Sequence, residues 1–388
     1  MIPVAERMSR IQPFFVMDLL ARARELEATG RSIIHMEVGE PDFDTPGPIV
    51  EAGRAALAAG QTRYTPAKGI PALREAIAAH YKSAYGTQVS ASRVVVTPGS
   101  SGALQLVMSV LINPGEGVLM ADPGYPCNRH FVELVDGRPQ LVPVGSETGY
   151  QLTAELVEQA WSRETRVVLV ASPANPTGTL LSADEIRELH GVVRRLGGVL
   201  VVDEIYQGLV YDIARSTALG IADDIFVINS FSKYFEMTGW RLGWLVAPEA
   251  FVDPIDRLAQ NIFLSAPTIS QHAALEAFSP EVMEILESRR REFQQRRDFL
   301  LPELRALGFD IPITPQGAFY LYAGCREVTD DSYRFARTLL EEAGVAVTPG
   351  RDFGFHQPES HLRFAYTTDL SKLEEGVDRL RRFIMATR

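Results

Sequence analysis

Short apolar segments alternate with amphipathic stretches through the middle of the chain. These segments lie at residues 94–97, 118–121, 140–144, 167–171, 199–202, 225–228 and 243–246. Most of them are apolar at nearly every position, which is typical of strands that are covered on both faces. We therefore predict an α/β fold in which a large domain places a mostly parallel seven-stranded sheet between two helical layers.

Helical signals fall between the apolar segments. Ser182 and Glu185 form a capping-box pattern before an apolar periodic stretch, and Gly197 follows that stretch as a stop signal. Further helices are predicted at residues 100–111 and 281–307. The second of these carries arginines at positions 289, 290, 291, 296 and 297. Because glutamates and glutamines are interleaved with them, we predict a solvated helix face rather than a phosphate site.

The pattern changes in the last part of the chain. Residues 317–322 and 344–348 read as short strands, and residues 332–343 and 372–385 read as helices. This alternation predicts a smaller α+β domain, onto which residues 13–26 fold back. We divide the chain into an N-terminal arm with part of the small domain (1–45), a large cofactor-binding domain (46–280) and a small C-terminal domain (281–388).

Composition narrows the function classes. The 388 residues are 46% hydrophobic and 22% charged, and the net charge of −11 argues against nucleic-acid binding as the main activity. No apolar run reaches the length of a membrane span, and the N-terminus lacks a basic segment followed by an apolar one. Cys127 and Cys325 suggest no disulfide framework, so we expect a cytoplasmic protein without a membrane partner.

One segment carries an unusual combination of groups. Ser230, Ser232 and Lys233 follow the apolar residues 225–228, and Arg241 comes eight positions after the lysine. A lysine can hold an aldehyde covalently as a Schiff base, while hydroxyls and an arginine can bind a phosphate nearby. Pyridoxal 5'-phosphate carries both an aldehyde and a phosphate, and we predict it as the cofactor.

Two preceding strands end in polar groups as well. Asn175 follows the strand at 167–171, and Asp203 follows the strand at 199–202. The ends of parallel strands meet at one sheet edge, where ligands bind in α/β proteins. Asp203 would face the pyridine nitrogen and keep it protonated, and Lys233 would act as general base and acid. Asn175 and Tyr206 would donate hydrogen bonds to the phenolic oxygen of the ring.

A phosphate site is predicted where residues 97–104 pass from a strand into a helix. The free N–H groups and the dipole of a helix start favour an anion, and Ser100 and Ser101 lie there. A plain turn is the alternative for this segment. Tyr125 follows the next strand and offers a flat face for a ring, although a core or rim position is the alternative.

Arg363 lies in a short apolar stretch near the C-terminus. A buried arginine requires an anionic partner, so it either clamps a substrate α-carboxylate or forms a structural ion pair. The seven histidines show no metal-ligand spacing, and we predict no metal site.

Together these motifs give a clear family resemblance. The chain resembles the class I aminotransferases of the pyridoxal-phosphate fold-type I superfamily, in the subgroup that contains many bacterial and archaeal enzymes. The resemblance runs from about residue 11 to about residue 382, and includes the segments 39–43 and 64–74. It implies an aminotransferase of amino-acid metabolism that moves an amino group from an α-amino acid to a 2-oxo acid, 2-oxoglutarate or pyruvate, in two ping-pong halves.

The resemblance also implies residue roles. Lys233, Asp203 and Tyr206 would be catalytic, and Gly39, Asn175 and Arg363 would contact substrate. A tyrosine of the 64–74 segment would cross the interface of a homodimer with shared active sites. The residues that would contact the cofactor are Lys233, Asp203, Tyr206, Asn175, Ser100, Ser101, Tyr125, Ser230, Ser232, Arg241 and Tyr64.

One departure from the family pattern bears on the substrate. Some relatives that use aspartate carry a lysine at the place of Ser101, where it helps to bind the distal carboxylate. Serine removes that charge, which disfavours aspartate; Arg129 is a candidate substitute whose direction the sequence does not fix. An aspartate aminotransferase, another enzyme of the same fold (a β-lyase, a decarboxylase or a cyclopropane-forming synthase) and a DNA-binding regulator are the alternatives.

Overall fold

The computed structural model describes residues 3–387. Residues 1, 2 and 388, which belong to the segments predicted as the N-terminal arm and the small C-terminal domain, lie outside the described part. The chain begins with helix α1 (Phe15–Ala28), strand β1 (Ile34–Met36) and helices α2 (Gly47–Ala58) and α3 (Pro71–Tyr85). These elements precede a large α/β unit.

Seven strands form the larger sheet, as the apolar segments predicted. They are β2 (Val94–Thr97), β3 (Gly117–Asp122), β4 (Arg138–Pro143), β5 (Thr165–Ala171), β6 (Val199–Asp203), β7 (Phe226–Ser230) and β8 (Gly243–Val246). Their spatial order is β2-β8-β7-β6-β5-β3-β4. All neighbours pair in parallel except β8, which is antiparallel to β2 and β7. The mostly parallel seven-stranded sheet is confirmed.

Helices cover both faces of this sheet. They include α4 (Gly99–Leu111), α5 (Pro126–Leu134), α6 (Ala154–Ala160), α7 (Ala183–Arg195), α8 (Glu249–Ile262) and α9 (Thr268–Glu276). Helix α10 (Pro280–Ala306) follows them and packs with the second sheet described below. The capping box of α7 is present, because Ser182 Oγ accepts from the Glu185 N–H at 3.2 Å and Glu185 Oε2 accepts from the Ser182 N–H at 2.7 Å.

The strands are apolar at successive positions because each face of the sheet meets its own helical layer. In β6, Val201 packs into one hydrophobic core, and Leu200 and Val202 pack into the other. All three side chains are almost completely buried. Each such side chain stabilises the fold by roughly 1.5–3 kcal/mol, so the two cores fix the ends of β5, β6 and β7 in position.

A second sheet has four strands. It adds β1 to β9 (Tyr320–Gly324), β10 (Val345–Pro349) and β11 (His361–Ala365), in the order β1-β10-β11-β9, with helices α11 (Ser332–Ala343) and α12 (Leu370–Thr387). Helix α1 packs against β10, a contact that agrees with the predicted folding back of residues 13–26 onto this part. The sequence did not predict β1 and β11, which are short and carry His35 and Arg363. The boundaries at 45 and 280 stay a prediction.

The arginine-rich helix α10 corrects one expectation. Arg296 and Arg297 are almost fully buried, whereas a solvated face was predicted. Arg296 pairs with Asp42 at 2.7 Å, and Arg297 pairs with Asp212 at 2.6 Å. These acids come from two distant loops, and no sequence period of the helix itself could reveal them. The two arginines bind carboxylates of the protein, which satisfies their buried charge.

Candidate active site

The polar groups that follow β5, β6 and β7 meet in one cavity of about 280 Å³ at the carboxyl edge of the large sheet. The second sheet and α1 close the cavity from the opposite side. Of the residues predicted as site residues, all but Tyr64 line this main cavity. They are Gly39, Ser100, Ser101, Tyr125, Asn175, Asp203, Tyr206, Ser230, Ser232, Lys233, Arg241 and Arg363.

Lys233 follows β7 and points into the main cavity. Its Nζ donates to the carbonyl of Gly39 at 2.7 Å, which joins the large sheet to the segment after β1. Burial lowers the pKa of Lys233 to about 8, against the opposing field of Glu40. An amine with that pKa exists partly in its neutral form near pH 7, and the neutral form is the nucleophile and the base.

Asp203 is the last residue of β6 and is 3% exposed. Its Oδ1 accepts from the Ile205 N–H at 3.2 Å, and no described residue donates to Oδ2. Burial raises the pKa of Asp203 to about 7, which the positive charge of Lys233 partly offsets. A carboxyl in this state is stabilised as an anion by any cationic group placed against Oδ2.

An anion cradle lies at the start of α4. Gly99 begins the helix with φ +69°, and a Cβ there would stand 2.8 Å from Nη2 of Arg241. Only glycine lets the guanidinium approach the helix start this closely. Ser230 Oγ accepts from the Ser232 N–H at 3.0 Å, which fixes the adjacent hydroxyl-bearing turn. Hydroxyls, free helix N–H groups and a guanidinium therefore face one volume.

Arg363 lies on β11 and is 5% exposed. It donates to Asn175 Oδ1 at 3.0 Å and to Thr348 Oγ1 at 3.1 Å, and its guanidinium lies 4.3 Å from the Tyr320 ring centroid. No described carboxylate pairs with it, and its Nε has no hydrogen-bond partner. The alternative of a structural ion pair is therefore wrong, and the guanidinium faces the cavity with its charge unpaired.

Two tyrosines meet at the base of the main cavity. The hydroxyls of Tyr206 and Tyr320 are 2.8 Å apart, and a Cβ on Gly39 would overlap the Tyr320 hydroxyl. Burial raises the pKa of Tyr206, so its phenol stays protonated and can donate. Tyr320 was not predicted from the sequence. The available signal was its place on β9 two residues before Tyr322, because alternate residues of a strand point to the same face.

Residues at the start of helix α1 also line the main cavity, and the sequence did not predict them there. Its N-terminal end lines the cavity with the apolar side chains of Phe14, Val16, Met17 and Leu20. Asp352 anchors this end, because it accepts from the N–H groups of Phe15 at 2.7 Å and Val16 at 2.8 Å. The cavity is thus polar at the sheet edge and apolar under α1.

The predicted site residue Tyr64 and the candidate substitute Arg129 both lie outside the main cavity. Tyr64 is 83% exposed on the loop before α3 and is not among the residues that line the main cavity. Arg129 lies on α5, with its guanidinium 5.2 Å from the Phe355 ring centroid, in a smaller neighbouring cavity. Within residues 3–387, no cluster of side chains has the composition of a metal site, and no helix has the length and apolarity to cross a bilayer.

Comparison with known proteins extends this picture. A model of the family described as aminotransferase class I and II matches residues 31–380. A (5-formylfuran-3-yl)methyl phosphate transaminase of Methanocaldococcus jannaschii is 35% identical, with 98% of this chain and 99% of that one covered. A valine–pyruvate aminotransferase of Mycobacterium tuberculosis is 37% identical, with 95% and 96% covered. A crystal structure of an aminotransferase from Mycobacterium tuberculosis superposes with a TM-score of 0.96 at 36% identity, covering 100% of both chains.

Proposed function

Because the chain belongs to the family of class I and II aminotransferases, we propose that its main cavity holds pyridoxal 5'-phosphate and that Lys233 is the attachment point. The chain is an aminotransferase, and the relatives reported above are transaminases rather than lyases or decarboxylases. What we propose beyond this is the roles of the catalytic and binding residues, the substrate class and the oligomeric state.

The residues of the main cavity fit this cofactor by their chemistry. The cradle of Ser100, Ser101 and Arg241 offers the hydroxyl, N–H and guanidinium donors that a phosphate dianion needs. Asp203 offers an unpartnered carboxylate oxygen to the protonated ring nitrogen. Asn175 Oδ1 is engaged by Arg363, which leaves Nδ2 to donate to the phenolic oxygen beside Tyr206. Tyr125 lines the cavity where the ring would stack.

When bound, the cofactor supplies an electron sink for the bond to hydrogen at the substrate α-carbon. The protein's part is to place and move the proton. Burial lowers the pKa of Lys233 to about 8. Its neutral amine accepts a proton, and the resulting ammonium donates that proton back. Asp203 holds a negative charge against the ring nitrogen, and the buried surroundings strengthen that interaction.

Arg363 is proposed to bind the substrate α-carboxylate. Its unpaired guanidinium is held by Thr348 and Asn175 and lies against the ring of Tyr320, so its orientation is set before substrate arrives. A bidentate pair with a carboxylate would place the substrate amino group toward Lys233. The carbonyl of Gly39, which now accepts from Lys233, borders the same volume.

The donor is proposed to be an amino acid with a neutral side chain. Phe14, Val16, Met17 and Leu20 form an apolar wall, and Ser101 brings no charge to the cradle. A valine or leucine side chain buried against such a wall gains on the order of 1.5–3 kcal/mol. The acceptor is proposed to be 2-oxoglutarate or pyruvate.

We propose that the enzyme works as a homodimer in the cytoplasm. Tyr64 is a large side chain that is 83% exposed and does not line the main cavity of its own chain. The family resemblance gives this tyrosine a contact with the partner's phosphate, and its exposure supports that assignment. Because the two active sites would then share residues, the dimer would be the active form.

The observation that carries the proposal is the convergence of Lys233 and Asp203 in one cavity. The test adds a panel of amino acids to the purified protein and follows cofactor absorption from the pyridoxal to the pyridoxamine form. Product analysis with 2-oxoglutarate and pyruvate then identifies the acceptor. We expect neutral apolar donors to react faster than aspartate. A preparation that binds no pyridoxal 5'-phosphate, or one that prefers aspartate, contradicts the corresponding part of the proposal.

A further inference from the structure

A second, smaller cavity adjoins the main one. It has a volume of about 40 Å³ and is lined by Arg129, Asn128 and Tyr150 among others. Four residues line both cavities: Tyr125, Ala171, Asn175 and Phe353. The smaller cavity, called here the Arg129 cavity, therefore lies beyond the side chains that would face the cofactor ring, and it has room for one small polar group.

Arg129 brings to this cavity a positive charge that has no direct ionic partner among the described residues. It forms no ion pair and no hydrogen bond with any described residue, and its guanidinium lies 5.2 Å from the ring centroid of Phe355. Burial lowers the pKa of Arg129, because water solvates the buried cation less well. Asn128 is 8% exposed, and its Oδ1 also lacks a hydrogen-bond partner. Two polar side chains with unused hydrogen-bonding capacity thus border one small volume.

The acids nearest to Arg129 are all engaged elsewhere. Asp122 accepts from the N–H groups of residues 355 and 356, at 2.9 and 3.2 Å. Asp352 accepts from the first residues of α1, and Glu133 pairs with His130 at 3.1 Å. These carboxylates raise the pKa of Arg129 through space but form no direct pair with it. Its five N–H donors remain free for a ligand.

The main cavity has no spare cation for a second carboxylate. Lys233, Arg241 and Arg363 are its basic residues, and each is already proposed for the cofactor or for the α-carboxylate. A dicarboxylic substrate needs one more positive group within reach. Arg129 lies one helical turn beyond Tyr125, whose side chain borders both cavities.

We propose that Arg129 binds the distal carboxylate of a dicarboxylic substrate such as 2-oxoglutarate or glutamate, an inference that rests on the proposed transamination. Helix α1 lines the main cavity but not the Arg129 cavity. A neutral side chain would pack under α1, whereas a distal carboxylate would pass Tyr125 to reach the guanidinium. The apolar wall under α1 and the Arg129 cavity would let one site accept an apolar donor and a dicarboxylic acceptor in turn.

The test measures ligand binding rather than turnover. Isothermal titration of the holoenzyme compares glutarate with pentanoate, a monocarboxylate of the same chain length. We expect the wild type to bind glutarate more tightly, and we expect Arg129→Gln to reduce the ratio of the two affinities by on the order of 10- to 100-fold. Arg138→Gln removes an exposed arginine from the start of β4 and serves as the matched control, with the wild-type ratio retained.

The outcomes separate this inference from the proposed function. A wild type without preference for glutarate, or an Arg129→Gln variant with the wild-type ratio, overturns the role of Arg129. Failure of transamination would instead show in the spectral titration of the wild type with amino acids. Should Arg129→Gln unfold, Arg129→Lys keeps a cation without the bidentate geometry, and its ratio must fall below that of the wild type.

Discussion

A buried histidine makes the stability of this enzyme sensitive to acid. His80 on α3 is 9% exposed, and its ring lies 5.1 Å from that of Phe278 and 5.7 Å from that of Phe235. Its ring nitrogens have no hydrogen-bond partner among the described residues. Burial, with a smaller contribution from Arg215, lowers the pKa of His80 from 6.5 to about 4. The folded protein therefore keeps this imidazole neutral in mild acid.

The sign and size of the effect follow from proton linkage. The unfolded chain binds a proton at His80 as the pH falls below 6.5, whereas the folded chain does so only near pH 4. The contribution of His80 to the free energy of unfolding is therefore nearly constant above pH 6.5, and stability declines as the pH falls from 6.5 to about 4. At about 1.4 kcal/mol per pKa unit, this difference lowers the free energy of unfolding by about 2–3 kcal/mol at pH 4.5.

The assay compares urea unfolding of the wild type and His80→Phe at pH 7.0 and pH 4.5, at one protein concentration. Phenylalanine has a similar shape and does not ionise. Asp203 and Glu204, whose pKa values burial raises to about 7 and about 8, contribute an opposite trend that is common to both proteins. We expect the free energy of unfolding of the variant to fall by about 2–3 kcal/mol less than that of the wild type on acidification. An identical loss in both proteins refutes the reasoning.

Other predictions test the cofactor site. Lys233→Ala should abolish turnover, and retained activity would contradict its role as the attachment point and base. Gly99→Ala should weaken binding of pyridoxal 5'-phosphate about tenfold or more in fluorescence titration, because the new Cβ would stand 2.8 Å from Arg241 at φ +69°. Gly86→Ala has nearly the same φ, +67°, with open space around it, and should lower the melting temperature without changing affinity. Tyr64→Phe should weaken cofactor binding on the order of tenfold in an intact dimer, and unchanged affinity would contradict the contact across the interface.

The part of the site that the sequence predicted is the part that the large sheet positions. Asn175, Asp203 and Lys233 each follow an apolar strand, and parallel strands must end at one edge. Knowledge of the strands therefore placed these residues together without any tertiary information. The same argument placed the cradle at the start of α4, since a helix start that follows a strand lies at that edge.

The missed residues come from segments that are distant in the chain. Phe14 and Leu20 reach the cavity because α1 packs on β10, more than 300 positions later. Tyr320 reaches it through the pairing of β9 with β11. Arg296 is buried because Asp42 comes from another loop. None of these contacts leaves a periodic or local pattern in the sequence. The amphipathic pattern alone therefore predicted that Arg296 faces solvent, and it did not place α1 at the cavity.

The anchoring of α1 by Asp352 has a consequence for the order in which the enzyme becomes functional. The helix has no side-chain cap of its own, and both carboxylate oxygens that receive its first N–H groups come from a loop 337 and 336 residues downstream. Because synthesis runs from the N-terminus to the C-terminus, α1 leaves the ribosome long before the residue that tethers its first turn is made. A truncated chain that lacks the C-terminal quarter would keep β7 and Lys233. Helix α1, which forms the apolar wall of the main cavity, would have lost its anchor.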